Sequence, residues 1–245
     1  MLKATQREET YFAGAYWGAR KESPEECARR AESFLTALPI IDPSFSRWFQ
    51  QGKSRKDALA RPIEPTCAEL AKIVRKGKDR VVEEIGFRFG AWNGASDDYD
   101  GTAFRVTCGG YSERVSNVCL LDLPSRGPNA ERVLTAPILS GVVRSMVIAW
   151  EPDSAVVMSS PQLQAGAKGD PPSRWIGWIT YVARHRGAVP SLPAPVHIEP
   201  VEDKGTLIVL TPERFTVRNP EHVALAERVR ELLEQGGLLK PLSST

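Results

Sequence analysis

Between residues 85 and 123 the chain carries three apolar, β-prone runs in succession, residues 85–92, 102–108 and 117–123. The short segments between them hold Gly94, Gly101, Gly109 and Gly110 and no helical pattern. Parallel neighbours need a crossover of a dozen or more residues, usually a helix, so strands this close in sequence pair as an antiparallel meander. That excludes the regular strand–helix alternation of a doubly wound sheet.

The rest of the chain is read around this meander. Residues 10–17, aromatic and rich in Gly and Ala, predict a first strand. Ser23, Pro24 and Glu26 supply a cap, a first helical position and a capping box. Cys27, Ala31, Phe34, Leu35 and Leu38 recur at helical spacing, and Pro39 and Pro43 are expected to end that helix. Residues 45–49 predict a short strand. Thr66 and Glu69 open a second helix, with Leu70, Ile73 and Val74 as its stripe and Gly77 as its stop. Residues 131–148 predict helix with a break at Pro137. Residues 155–158 predict a strand after the turn Glu151-Pro152-Asp153-Ser154, 162–173 a loop, and 175–182 a further strand. Residues 196–201 and 206–210 predict a hairpin across Glu202-Asp203-Lys204-Gly205. Asn219, Pro220 and Gly236 bound a last helix, with Val223, Ala226, Val229, Leu232 and Leu233 on its core face. The expected fold is α+β, a large, mainly antiparallel sheet with about four helices packed against it. It forms one domain over residues 1–245, with a soft boundary near 125–129.

Composition narrows the function. A 42% hydrophobic, 25% charged chain of 245 residues has ample material for a core. A net charge of +2 is no electrostatic footprint for nucleic acid. The basic stretch of residues 72–80 reads as the solvated end of a helix. The charged residues 1–10 lack the apolar region of a secretory signal. No stretch approaches the roughly 18 apolar residues of a membrane span. Cys27, Cys67, Cys108 and Cys119 form no C-x-x-C pair, so reduced thiols and a cytoplasmic location are expected.

Several catalytic motifs nearly form, and each lacks a residue its mechanism needs. Gly52-Lys53-Ser54 resembles the end of a P-loop, but Arg47 stands where the opening glycine belongs. Gly110-Tyr111-Ser112-Glu113-Arg114 has Arg114 in place of the glycine of a nucleophile elbow. In a calcium-loop alignment of residues 96–107, Ser96 and Thr107 stand where carboxylates are needed. The three histidines, His185, His197 and His222, are far from one another and from cysteine in metal-ligand spacing. Asp153, Glu202 and Lys204 follow the order of a metal-dependent nuclease, where carboxylates hold Mg²⁺ and the lysine supports the attacking water. Glu202 and Lys204 fall on an expected hairpin tip, however, and a turn competes with that reading. The six tryptophans read chiefly as core, with one or two free to anchor an interface. This leaves no catalytic residue, no metal ligand and no cofactor assigned.

The whole-chain pattern carries more. The opening runs from Tyr11 through Trp17-Gly18-Ala19-Arg20-Lys21-Glu22-Ser23 into a Cys-Ala-Arg-Arg helix. Asp42 through Trp48 to Gly52-Lys53-Ser54 follows, then Ala149-Trp150-Glu151-Pro152-Asp153. Next come Ile176-Gly177-Trp178-Ile179-Thr180-Tyr181, the segment from Asn219 to Ala226, and Gly237 to Leu242. Together they resemble the immunity protein 52 family. The resemblance implies a non-enzymatic, cytoplasmic inhibitor, monomeric, that binds a cognate nuclease toxin of the type five restriction-endonuclease-like class. It implies no direct contact with nucleic acid or membrane. A nuclease groove is basic, so Asp97, Asp98 and Asp100, with Tyr99 as an amphipathic anchor, are the candidate contact cluster. Trp17, Arg20 and Glu22 are candidates from the resembling opening, as contact residues or as scaffold.

Overall fold

The computed structural model describes residues 9–166 and 170–240. β1 (Tyr11–Trp17) is followed by α1 (Pro24–Ile41), β2 (Trp48–Phe49), α2 (Arg55–Leu59), β3 (Pro62–Ile63) and α3 (Cys67–Lys76). The meander β4 (Phe87–Trp92), β5 (Ala103–Cys108) and β6 (Asn117–Asp122) comes next. Then come α4 (Pro128–Val133), α5 (Ala136–Trp150), β7 (Ser154–Ser159), α6 (Ser160–Gly166), β8 (Ile179–Ala183), β9 (His197–Val201), β10 (Gly205–Val209) and α7 (Pro220–Gln235). The ten strands form one sheet in the order β3-β2-β4-β5-β6-β1-β7-β8-β10-β9. Every pairing in it is antiparallel, within the expectation of a large, mainly antiparallel sheet.

The strand period of two sorts side chains between the faces. Tyr11, Ala13, Ala15 and Trp17 of β1 join the main core, and Phe12 and Tyr16 face the other way. On the core side α1 packs between α3 and α5, and α5 lies on β1, β7 and β8. All six residues of β7 are buried. Its other face is covered where Val156 and Met158 meet Tyr16, Leu163 and Trp175, with the Tyr16 and Trp175 rings edge-on at 5.5 Å. All four cysteines are free thiols.

Local sequence sets most element ends. Ser23 Oγ accepts from Glu26 N at 3.2 Å and Glu26 Oε2 accepts from Ser23 N at 2.7 Å, closing the capping box of α1. The helix does not stop at Pro39 as expected. It runs on to Ile41, because proline in the last turn removes only its own N–H, and Asp42 N still reaches Leu38 O at 3.2 Å. Pro43 ends it. Asp42 is 1% exposed, accepts from Ser44 N and pairs with Arg132 at 2.5 Å, tying the end of α1 to α4.

The break expected at Pro137 lies at Leu134–Thr135, and Pro137 sits in the first turn of α5, where a missing N–H is harmless. The expected strand over 45–49 divides into a 3₁₀ turn (Pro43–Phe45) and β2. The expected loop over 162–173 begins inside α6, and residues 167–169 of it lie outside the described residues. The strand over 175–182 starts only at Ile179, after the 3₁₀ turn Pro172–Arg174. Residues 241–242 of the C-terminal signature also lie outside the described residues.

Trp17, 2% exposed, stacks on the fully buried Trp150 with ring centroids 5.4 Å apart and planes 18° from parallel. Trp17→Ala should cost about 3–5 kcal/mol of unfolding free energy in a urea titration, the range for truncating a buried large aromatic. Trp17→Phe, which keeps a ring against Trp150, should cost clearly less.

Candidate functional site

The strand register separates the candidate residues into two groups. Trp17 lies opposite Asn117, and Val118 opposite Thr107, at one end of the sheet. Phe12 and Ala103 both lie opposite Asp122 at the other end, where Ala103 also faces Trp92. Arg20 and Glu22 follow β1 at the first end. Residues 97–100 sit in the β4–β5 connection at the second. The five steps from Ala103 to Cys108 span about 17 Å at roughly 3.3 Å per residue. The two groups are therefore not one contact cluster.

At the first end a charged network surrounds the Trp17–Trp150 stack. The Arg20 guanidinium lies 5.2 Å from the Trp17 ring, donates to Trp150 O at 2.8 Å and pairs with Glu22 at 3.2 Å. Arg30 donates to the same Glu22 carboxylate at 2.6 Å, to Ala149 O at 3.0 Å and to Glu151 at 3.1 Å. Lys204 Nζ donates to the second Glu151 oxygen at 2.8 Å. Asp153 accepts from Gly18 N at 2.9 Å and lies 3.0 Å from His185 Nε2. The geometry follows from helix chemistry: α5 ends at Trp150, its last carbonyls need donors, and cations are favoured at a helix C-terminus. Glu151, left-handed at φ 47°, turns the chain into β7. The Lys204 hydrogen bond, opposed by partial burial and supported by Arg30, holds the Glu151 carboxyl below the usual range. Burial lowers the Arg20 guanidinium from its ordinary value, partly opposed by Glu22.

At the second end the acidic loop is held from behind. Arg55 donates to Gly94 O at 3.2 Å, Ala95 O at 2.5 Å and Ser96 O at 3.3 Å while lying 5.0 Å from the Trp92 ring. Asp100 Oδ1 accepts from Asn129 N at 2.8 Å and Ala130 N at 3.2 Å, so it is committed to the start of α4. Tyr99 O accepts from Ser125 N at 2.8 Å. The Tyr99 side chain is 54% exposed, with the Arg126 guanidinium 3.6 Å from its ring. Asp97 Oδ1 accepts from Tyr99 N at 2.9 Å. Asp97 and Asp98 are exposed and make no ion pair among the described residues. Beside them a shallow groove of about 780 Å³ runs along Gln50, Gln51, Arg55 and Trp92.

The sequence model of immunity protein 52 matches residues 9–242. The chain belongs to the immunity protein 52 family. Among solved structures, the Pseudomonas aeruginosa T6SS protein PA0821 shares the fold at a TM-score of 0.54 with 11% sequence identity. That match covers 91% of this chain and 73% of the other. No curated protein sequence matches the chain.

In this immunity protein 52 chain the resembling segments Trp17–Glu22 and Trp150–Asp153 meet in the charged network. Sequence reasoning marked Trp17, Arg20 and Glu22 but missed Arg30, Glu151 and the clamps Arg55 and Arg126. Arg30 and Glu151 stood inside the quoted strings, so the signal for them was present. The residues of the nuclease order, Asp153, Glu202 and Lys204, have structural places. Lys204 is paired to Glu151, Asp153 faces Gly18 and His185, and Glu202 sits in the β9–β10 turn at φ 47°. Among the described residues no three His, Cys, Asp or Glu side chains form a metal-holding group. No described helix is long and apolar enough to cross a membrane.

Because the folded Glu151 carboxyl is depressed, its contribution to stability is present above the ordinary glutamate range. It is lost as pH falls through the folded value. Glu151→Gln should therefore lower the thermal midpoint at neutral pH, and the gap from the parent should close as pH drops below about 4. A gap independent of pH would show that the charge of Glu151 is not what stabilises the fold.

Proposed function

We propose that this protein binds and neutralises a cognate nuclease toxin delivered by a type VI secretion system. It does so as a stoichiometric, non-catalytic inhibitor in the cytoplasm of the producing cell. Family membership supports the immunity role, and the T6SS neighbour agrees with the delivery route. The nuclease target is our own reading. The observation that carries it is the acidic loop: Asp97, Asp98 and Tyr99 project from a backbone fixed by Arg55, Asp100 and Tyr99 O. A nuclease groove presents cations for phosphate, and exposed carboxylates on a rigid loop meet that field without an ordering cost. Trp17, Arg20 and Glu22 are assigned the role of scaffold at the far end of the sheet, since Trp17 is buried and both charges are paired.

Calorimetric titration with the catalytically inactivated nuclease domain encoded beside it tests the reading. Saturable one-to-one binding is expected, and no binding between two folded samples would sink it. Asp97→Lys with Asp98→Lys should slow association at least about tenfold at low salt while changing dissociation less, the behaviour of steering charges. Asp100→Lys should act differently, by destabilising the fold, because its carboxylate caps α4. Association unchanged by the Asp97/Asp98 double variant would move the contact face elsewhere.

A further inference from the structure

The sheet is interrupted beside β4. All six residues of β4 pair with β5, but β4 meets β2 at a single rung, Phe49 opposite Trp92. At its other end Arg88 N donates to Gly77 O at 2.8 Å, and Phe87 faces Lys78 in an isolated bridge. Among the described residues, no strand pairs with 89–91 on that side. β2 cannot fill the gap, because Gln50 turns to β3 and donates to Arg61 O at 3.0 Å.

The register identifies the groups left over. Asn93 N donates to Thr102 O, continuing the β4–β5 ladder, so odd-numbered residues of β4 bond to β5 and even-numbered ones point away. Arg88 obeys this by bonding to Gly77. Gly90 is the next even position, and its N–H and C=O face the gap. A groove of about 850 Å³ opens there, bounded by Gln50, Gln51, Ile73 and Phe89, and runs across the open sheet face to the half-buried Val118 and Leu120 of β6. Its charged lining is basic: Lys76, Arg88 and Arg105. Lys76 and Arg88 make no ion pair among the described residues, and Arg105 is shared with Asp122 at 3.1 Å. The β9 edge differs at Pro200. Pro200 has no N–H to offer, and Arg144 occupies its carbonyl at 2.8 Å.

We propose that this notch docks an extended, acidic polypeptide segment of a partner, added as a strand against Gly90. A strand supplies a matching carbonyl and amide for the glycine, which a phosphate backbone does not. Carboxylates on the segment answer Lys76 and Arg88, and alternate apolar side chains rest on Ile73 and Phe89. The gap is about 10 Å long, enough for three extended residues, so binding is modest by itself. Gln50 and Gln51 line both this notch and the groove beside Asp97, so a partner held by the acidic loop would reach it. The notch proposal does not depend on that partner being a toxin.

The test is an NMR titration of the full chain with acetyl-Glu-Val-Asp-Val-Glu-amide as probe. The Gly90 amide should shift saturably and exchange more slowly with solvent. Lys76→Gln with Arg88→Gln should weaken binding at least fivefold with the rest of the spectrum unchanged. No shift at Gly90 overturns the proposal. So does equal binding of a probe with lysine at the acidic positions, or perturbation of the same amides by an oligothymidylate and not by the peptide.

Discussion

The hydrogen bonds along the two edges of β1 join what would otherwise be separate sheets. On one side β1 pairs with β6 and so with the meander; on the other it pairs with β7 and the C-terminal strands. The first described strand thus occupies the middle of the sheet, and its partners lie a hundred or more residues away. Such pairing requires large loops to close before any rung forms, which predisposes the fold to slow assembly. It also explains the alternating small residues of β1. Ala13 and Ala15 leave room for α5 to lie directly on the strand, while Tyr11 and Trp17 fill the ends.

The charged network secures that junction where β1 leaves the sheet. Arg20 and Arg30 satisfy the terminal carbonyls of α5, Glu22 pairs with both, and Glu151 passes the connection from Arg30 to Lys204 on the β9–β10 turn. Four separate segments are fixed by one chain of charges. The Glu22 carboxylate, 7% exposed, is costly to leave without its partners, because it stays desolvated. The P-D and E-x-K strings that imitate a nuclease are thereby given a structural reason: Asp153 holds the Gly18 amide, and Lys204 belongs to Glu151.

Much of this was legible in the sequence where local chemistry decides. The capping box at Ser23, the Asn219-Pro220 start of α7 and the three meander strands appear as expected, because caps and period-two alternation are short-range signals. The five-residue α2 and the seven-residue α6 were not legible, since helices so short are below the length at which propensity alone sustains them. Pro39 misled for a related reason: packing of Phe34, Leu35 and Leu38 outweighs one lost hydrogen bond near a helix end. The site was half legible. Trp17 to Glu22 and Trp150 to Asp153 both stood out, but their meeting depends on where β1 inserts. Likewise the separation of Asp97–Asp100 from Trp17 is a matter of register, which no local pattern states.

That separation assigns different tasks to the two ends of the sheet. At the Trp17 end the charges are consumed by one another and by backbone carbonyls, an arrangement suited to rigidity. At the other end Arg55 spends its donors on the backbone of the acidic loop, which leaves the carboxylates of Asp97 and Asp98 facing solvent. A loop whose carbonyls are already satisfied loses little entropy on contact, and its charges act at a distance before contact is made. With basic Lys76 and Arg88 on the far side of Gln50 and Gln51, the same flank carries opposite charges a short distance apart. In the proposed binding mode a partner approaching that flank feels a direction as well as an attraction, so orientation is selected during encounter.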